Sequence, residues 1–193
     1  MTHTKLNMPS FAIKPQGEAS LTFIEHNLTD FKLAAFYVRS VPYGRITKLD
    51  NLGLVLKENR GTCSTKHGLL AQVAKEQGQP FKLMLGIYEM NEANTTGVGS
   101  VLNPNGLDTI PEAHCYLSYN NNYYDFTRRE SPIEPQLEFI HEEEITPEQI
   151  SEYKTQRHKF FMEEWLKSKD NFMNLEMLWK LREDCITHIS SHR

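Results

Sequence analysis

Cys63, His114 and Asp125 are the residues of this chain whose types and order point to chemistry. A cysteine is a nucleophile only as its thiolate, and a thiol on the first turn of a helix meets open backbone N–H groups and the positive end of the helix dipole, which favour that form. Thr62 is a natural N-cap, so the helix predicted from Cys63 to about Gln77 puts the thiol at its start. Gly61 just upstream suits close approach of a substrate to the backbone. The competing role is that of an ordinary buried cysteine, packed as a small core residue.

A thiol nucleophile needs a base, and the base needs a carboxylate to fix its tautomer and hold the imidazolium. His114 falls in a predicted strand, His114–Tyr119, and Asp125 in a second, Tyr123–Thr127, joined across Asn120-Asn121-Asn122. Side chains alternate faces along a strand. If the turn centres on Asn120-Asn121, residue 116 lies opposite 125 and residue 114 opposite 127. Asp125 is then a diagonal same-face neighbour of His114, at a Cβ separation of about 7–8 Å or somewhat less. A slip of one residue would send the two to opposite faces and leave an exposed hairpin with a surface histidine and aspartate.

The elements around these residues read as an α+β domain. Residues 1–27 show no clear period and are interrupted by Pro9 and Pro15. Thr29 or Asp30 caps a predicted helix to about Ser40, with Phe31, Leu33, Ala34, Phe36, Tyr37 and Val38 on a broad apolar face. Pro42-Tyr43-Gly44 reads as a turn, and Leu52, Leu54 and Leu56 alternate as a short strand would. Leu69, Leu70, Val73 and Ala74 share one side of the Cys63 helix, which Gly78 and Pro80 terminate. Phe81–Met90 is a buried strand candidate, and residues 91–110 read as a loop. Thr146-Pro147-Glu148-Gln149 is a capping box that starts a helix to about Lys169, lined by Ile150, Tyr153, Phe160, Phe161 and Trp165. Asn171 opens a last helix with the stripe Leu175, Leu178, Leu181, Cys185 and Ile189.

Length and charge narrow the partners. The 193 residues suit a single domain, with a core at about 29–130 and a helical C-terminal part at about 146–190. Twenty-one basic against 25 acidic residues give a net charge of −4, which offers no basic footprint for nucleic acid and no polybasic anchor for a membrane. No apolar run is long enough for a membrane span, and the N-terminus lacks the pattern of a signal peptide. Three cysteines are too few and too far apart for a disulfide framework, so they are expected to be thiols in the cytoplasm.

The ordered set Gly61-Thr62-Cys63, helix, Gly78, a buried strand with Gly86, His114 and Asp125-Phe126-Thr127 resembles the core of transglutaminase-like proteins over about residues 55–130. The resemblance implies a papain-like fold, with a central cysteine-bearing helix packed on a small antiparallel sheet. It implies Cys63 as nucleophile, His114 as general base and acid, and Asp125 as the group that orients His114. The expected reaction is acyl transfer or amide hydrolysis through a thioester, on a peptide, protein or small amide substrate, with no cofactor and no metal. A non-catalytic peptide- or protein-binding domain on the same fold is the alternative. The backbone N–H of Cys63 would form half of an oxyanion hole, with Asn59 or Asn51 as the second donor.

The other candidates carry weaker expectations. His67, four residues after Cys63 on the same helical face, is expected to pack or hydrogen-bond beside the site. No zinc-type spacing accompanies it. Cys115 and Cys185 read as core, His141-Glu142-Glu143-Glu144 as a solvated charge run before a helix, and Arg128-Arg129 as ordinary exposed arginines.

Overall fold

The computed structural model describes residues 8–129, 137–169 and 173–191. Its centre is a four-stranded antiparallel sheet, in the order β3-β2-β1-β4: β1 Lys82–Asn91, β2 Thr109–Tyr119, β3 Asn122–Tyr124 and β4 Phe139–Ile145. Helices α1 Glu18–Glu25, α2 Phe31–Ser40, α3 Leu54–Lys57 and α4 Cys63–Glu76 precede β1. A short α5, Gly99–Leu102, lies between β1 and β2, and α6 Glu152–Lys167 and α7 Leu175–Ser191 close the chain.

Strand parity divides the interior into two cores. Leu83, Leu85 and Ile87 of β1, with Ala113, Cys115 and Leu117 of β2, share one buried cluster with Leu69, Leu70, Val73 and Ala74 of α4. Tyr88, Met90 and Ile110 project from the other face, into a second cluster with Met162 and Trp165 of α6 and Leu178, Leu181, Cys185 and Ile189 of α7. The sheet is therefore the middle layer between two groups of helices.

Local chemistry accounts for the elements that hold the site. Asp30 caps α2 by accepting from the Leu33 N–H at 2.9 Å. Thr62 and Thr65 cap α4 reciprocally, the Thr62 N–H donating to Thr65 Oγ1 at 2.9 Å. Gly78, at φ +64°, ends that helix in the left-handed conformation open to glycine. Asn120 and Asn121 both have positive φ, 49° and 59°, as the central pair of a two-residue hairpin loop requires. The hairpin pairs Leu117 with Tyr124 and Tyr119 with Asn122, the register expected from the sequence.

Several elements differ from expectation. Residues 18–25 are helical because Glu76, far along the chain, accepts from the Ala19 and Ser20 N–H groups at 3.1 and 2.7 Å and caps α1 from α4. Leu54 and Leu56 belong to α3, a single turn rather than a strand. Tyr43 forms a parallel bridge to Gly61 instead of a turn, so residues 42–44 are pinned beside the start of α4. The loop at 91–110 contains α5 and a 3-10 turn, Asn103–Asn105. The run His141–Glu144 is part of β4, an edge strand whose charged residues suit an edge. The second hairpin strand stops at Tyr124, before Asp125. The capping box at Thr146 opens a 3-10 turn, Pro147–Ile150, ahead of α6. On α6 the buried residues are His158, Met162 and Trp165, while Phe160 is 46% exposed. Leu33 of α2 is likewise exposed. The expected opening of the last helix at Asn171 lies outside the described residues; Asn174 caps α7 by accepting from the Met177 N–H at 2.9 Å.

Candidate active site

Cys63, His114 and Asp125 line one cleft of about 940 Å³. Three elements bring them there. α4 presents Cys63 as its first helical residue, where the backbone N–H lies outside the helix's own ladder. β2 carries His114 on the face opposite Cys115. β3 pairs with β2 only from Leu117 onward, so Asp125 leaves the ladder beside the upstream half of β2. The N–H of Cys115, on that stretch of β2, donates toward the Cys63 sulfur.

The three side chains form a relay. Asp125 Oδ2 accepts from His114 Nε2 at 2.8 Å, which leaves Nδ1 as the ring nitrogen available to the thiol. Oδ1 of the same carboxylate accepts from the Thr127 N–H at 2.8 Å, and the Tyr123 hydroxyl donates to Oδ2 at 3.3 Å. Burial alone would push the Asp125 carboxyl up, yet the His114 charge and hydrogen bond hold it well below the usual carboxylate range. Burial alone would lower His114; Asp125 and the Cys63 sulfur outweigh it and raise the imidazole to about 10. For Cys63, burial opposes ionisation, but Lys154 and His114 reverse that and bring the thiol down to about 5. The two shifts both favour a thiolate beside an imidazolium.

His67 has a different part. Its Nδ1 donates to the Cys63 carbonyl at 2.8 Å, and its Nε2 accepts from the Phe126 N–H at 2.7 Å. Burial lowers it to about 4, so the ring is neutral. Its 3.6 Å approach to Asp125 is therefore no ion pair at neutral pH. His67 ties the start of α4 to the segment that carries Asp125.

Two more tethers set the walls of the cleft. Lys66, fully buried, donates to the carbonyls of Val41 and of Thr127, the latter at 2.8 Å. Arg39 donates to the carbonyls of Arg128 and Arg129 at 3.1 and 2.8 Å, and Arg128 stacks over Tyr43 at 4.4 Å. The arginine pair thus borders the cleft instead of standing apart from it. Gly61 leaves no space for a substrate: an added Cβ would lie 2.8 Å from the Lys66 side chain. The expected oxyanion donors are also elsewhere. Asn51 lines a separate groove with Glu18 and Glu148, and Asn59 is a left-handed turn residue after α3 that does not line the Cys63 cleft.

Lys154, which no motif or spacing in the sequence singles out, also reaches the site. Its Nζ donates to Ser64 Oγ at 2.7 Å and lies 3.8 Å from Cys63 Sγ. Behind it, Arg182 of α7 grips Glu112 of β2 through two bonds of 2.6 Å, and that carboxyl is lowered to about 2 despite its burial. Cys115 and Cys185 are fully buried thiols, each pushed up by burial to about 11. Among the described residues, no group of three or more His, Cys, Asp or Glu is arranged to hold a metal ion, and no helix is long and apolar enough to cross a membrane. The chain matches no protein-family model, no curated protein and no solved structure.

Proposed function

We propose that this protein is a cysteine-dependent acyl-transfer enzyme of the transglutaminase-like, papain-like type, acting on amide bonds of peptide, protein or small amide substrates. The observation that carries this reading is the Asp125–His114–Cys63 relay on one wall of an open cleft, with the 2.8 Å Asp125–His114 bond fixing the imidazole. The Cys63 sulfur attacks the amide carbonyl and forms a C–S bond. As the tetrahedral intermediate collapses, the C–N bond breaks and His114 delivers its proton to the departing amine. The open N–H of Cys63, on the first turn of α4, is the donor placed for the oxyanion. His114, now neutral, takes a proton from water or a second amine, whose attack releases an acid or a new amide and returns the thiolate. In this reading Asp125 stays ionised and keeps the ring's Nδ1 toward sulfur. The same reading assigns the chain to the cytoplasm, a reducing compartment in which Cys63, Cys115 and Cys185 stay free.

The test is a screen of peptide and small amide substrates, with water or an added primary amine as acceptor, against wild type and Cys63→Ala. Turnover lost in the alanine variant supports the enzyme. Substrate-like peptides that bind wild type and Cys63→Ala equally, with no turnover in either, would leave a binding domain on the same fold.

A further inference from the structure

Lys154 points inward from a helix whose exposed side carries Phe160. It stands on the stripe 154, 158, 162 and 165, the spacing of one helical face, and the other three members are buried. A lysine on a buried stripe is costly unless its charge is balanced. Its Nζ makes a 2.7 Å bond to the neutral Ser64 hydroxyl and comes within 3.8 Å of the Cys63 sulfur.

We propose that Lys154 is a positioning residue for the Cys63 nucleophile: its ammonium supplies a second positive charge beside that of His114, and the centre is electrically balanced only when Cys63 is a thiolate. The inference rests on the reading of Cys63 as the nucleophile. It also makes the C-terminal helices part of the reactive centre, although the family resemblance stops at about residue 130.

The count of charges supports it. Facing Cys63 and Lys154 are His114, Cys115 and Glu112 from β2, Asp125 after β3, His67 from α4 and Arg182 from α7. Glu112 and Arg182 satisfy one another through their paired 2.6 Å bonds. His67 and Cys115 are neutral at pH 7, as are the phenols of buried Tyr88 and half-buried Tyr43 and Tyr123, all raised by loss of solvent. Lys66, a further buried ammonium, donates to the carbonyls of Val41 and Thr127, and His158, one turn along from Lys154, is neutral. Around the sulfur itself, the imidazolium and the Lys154 ammonium stand against the Asp125 carboxylate and the Cys63 sulfur. With a neutral thiol, two cations would face one anion. With a thiolate the four charges cancel, and Lys154 itself is raised because the thiolate outweighs its burial.

The experiment follows the rate of Cys63 alkylation by iodoacetamide from pH 4 to 9, read by peptide mapping. It uses the full chain as wild type, Lys154→Met, Lys154→Gln, Lys154→Arg and His114→Asn, with folding checked by circular dichroism. An opposite charge at this distance typically moves a pKa by about 1–3 units. Lys154→Met and Lys154→Gln are therefore expected to move the alkylation midpoint up by one pH unit or more. Lys154→Arg should restore most of the shift. Glutamine keeps a donor for Ser64 without the charge, so it separates charge from hydrogen bonding and remains informative if the methionine variant does not fold. His114→Asn removes the other cation and leaves the Asp125 carboxylate to balance the Lys154 ammonium, so it should raise the midpoint as well. A glutamine variant whose profile overlays wild type would overturn the proposal, as would an arginine variant displaced as far as glutamine. Alkylation needs no substrate. A wild type with the low midpoint, the Lys154 shift and no amide turnover would overturn the proposed function and leave this inference standing.

Discussion

Asp125 lies just past the last paired residue of β3, yet its Oδ2 sits 2.8 Å from His114 Nε2 on the neighbouring strand. The contact follows from the Asn120-Asn121 loop, which sets the parity of everything downstream. Asp125→Asn keeps the shape but removes the charge that raises His114. We expect the variant to fold and the midpoint of its Cys63 alkylation to rise by about one pH unit or more, which lowers the rate at pH 5 about fivefold or more. Asp125→Glu should fall between the two. An asparagine profile that overlays wild type would reduce the relay to Cys63 and His114.

The three thiols should differ sharply in reactivity. Lys154 and His114 bring Cys63 down to about 5, whereas burial raises Cys115 and Cys185 to about 11, and both are fully buried. At pH 6.5 iodoacetamide should modify Cys63 on the order of 100-fold faster than either, after allowing for the lower intrinsic nucleophilicity of a low-pKa thiolate. Peptide mapping of a short labelling pulse measures all three at once. Comparable labelling of Cys185 would remove the basis for singling out Cys63.

What was legible in the sequence is what local chemistry decides. The Thr62 cap and the two-asparagine loop each act within a few residues, and together they place Cys63, His114 and Asp125 in one cleft. The α1 helix was invisible because its cap, Glu76, belongs to α4. β4 was hidden by its edge position, where Glu142, Glu143 and Glu144 take partners from three other elements: Tyr116, Arg157 of α6 and Lys82. Lys154 was missed for a stronger reason. Apolar periodicity assigns the aromatic residues of α6 to the interior, but the inward face there must balance a charged site, and so it holds a lysine and a histidine.

Stability should form a plateau in pH that depends on Cys63. His114 is raised from its ordinary 6.5 to about 10, so its contribution is complete below 6.5 and declines as pH rises toward 10. Cys63 is lowered from 9.0 to about 5, so its contribution is complete above 9 and declines as pH falls toward 5. Between about 6.5 and 9 the two slopes cancel, because the folded thiolate–imidazolium pair and the unfolded thiol–imidazole pair bind the same number of protons. Urea denaturation across pH 5–10 should show that plateau in wild type. In Cys63→Ala only the His114 slope remains, so stability should fall steadily above pH 6.5. A flat profile in the alanine variant would mean that Asp125 without the Cys63 sulfur does not raise His114.

The Glu112–Arg182 pair makes the sharpest prediction about the scaffold. The two side chains are 7% and 12% exposed and joined by two bonds of 2.6 Å, between β2 two residues before His114 and the middle of α7. Arg182→Met leaves a buried carboxylate with its main partner gone, a change that typically costs about 3–5 kcal/mol. The remaining cation near Glu112 is Lys154, so the orphaned carboxylate would draw on the charge that otherwise faces Cys63. Arg182→Met should therefore lower the urea midpoint and also raise the pH at which Cys63 alkylates. The double variant Glu112→Gln/Arg182→Met removes both charges and should recover much of the stability, together with the wild-type alkylation profile. Recovery of stability without recovery of the profile would show that the shift does not run from Glu112 through Lys154.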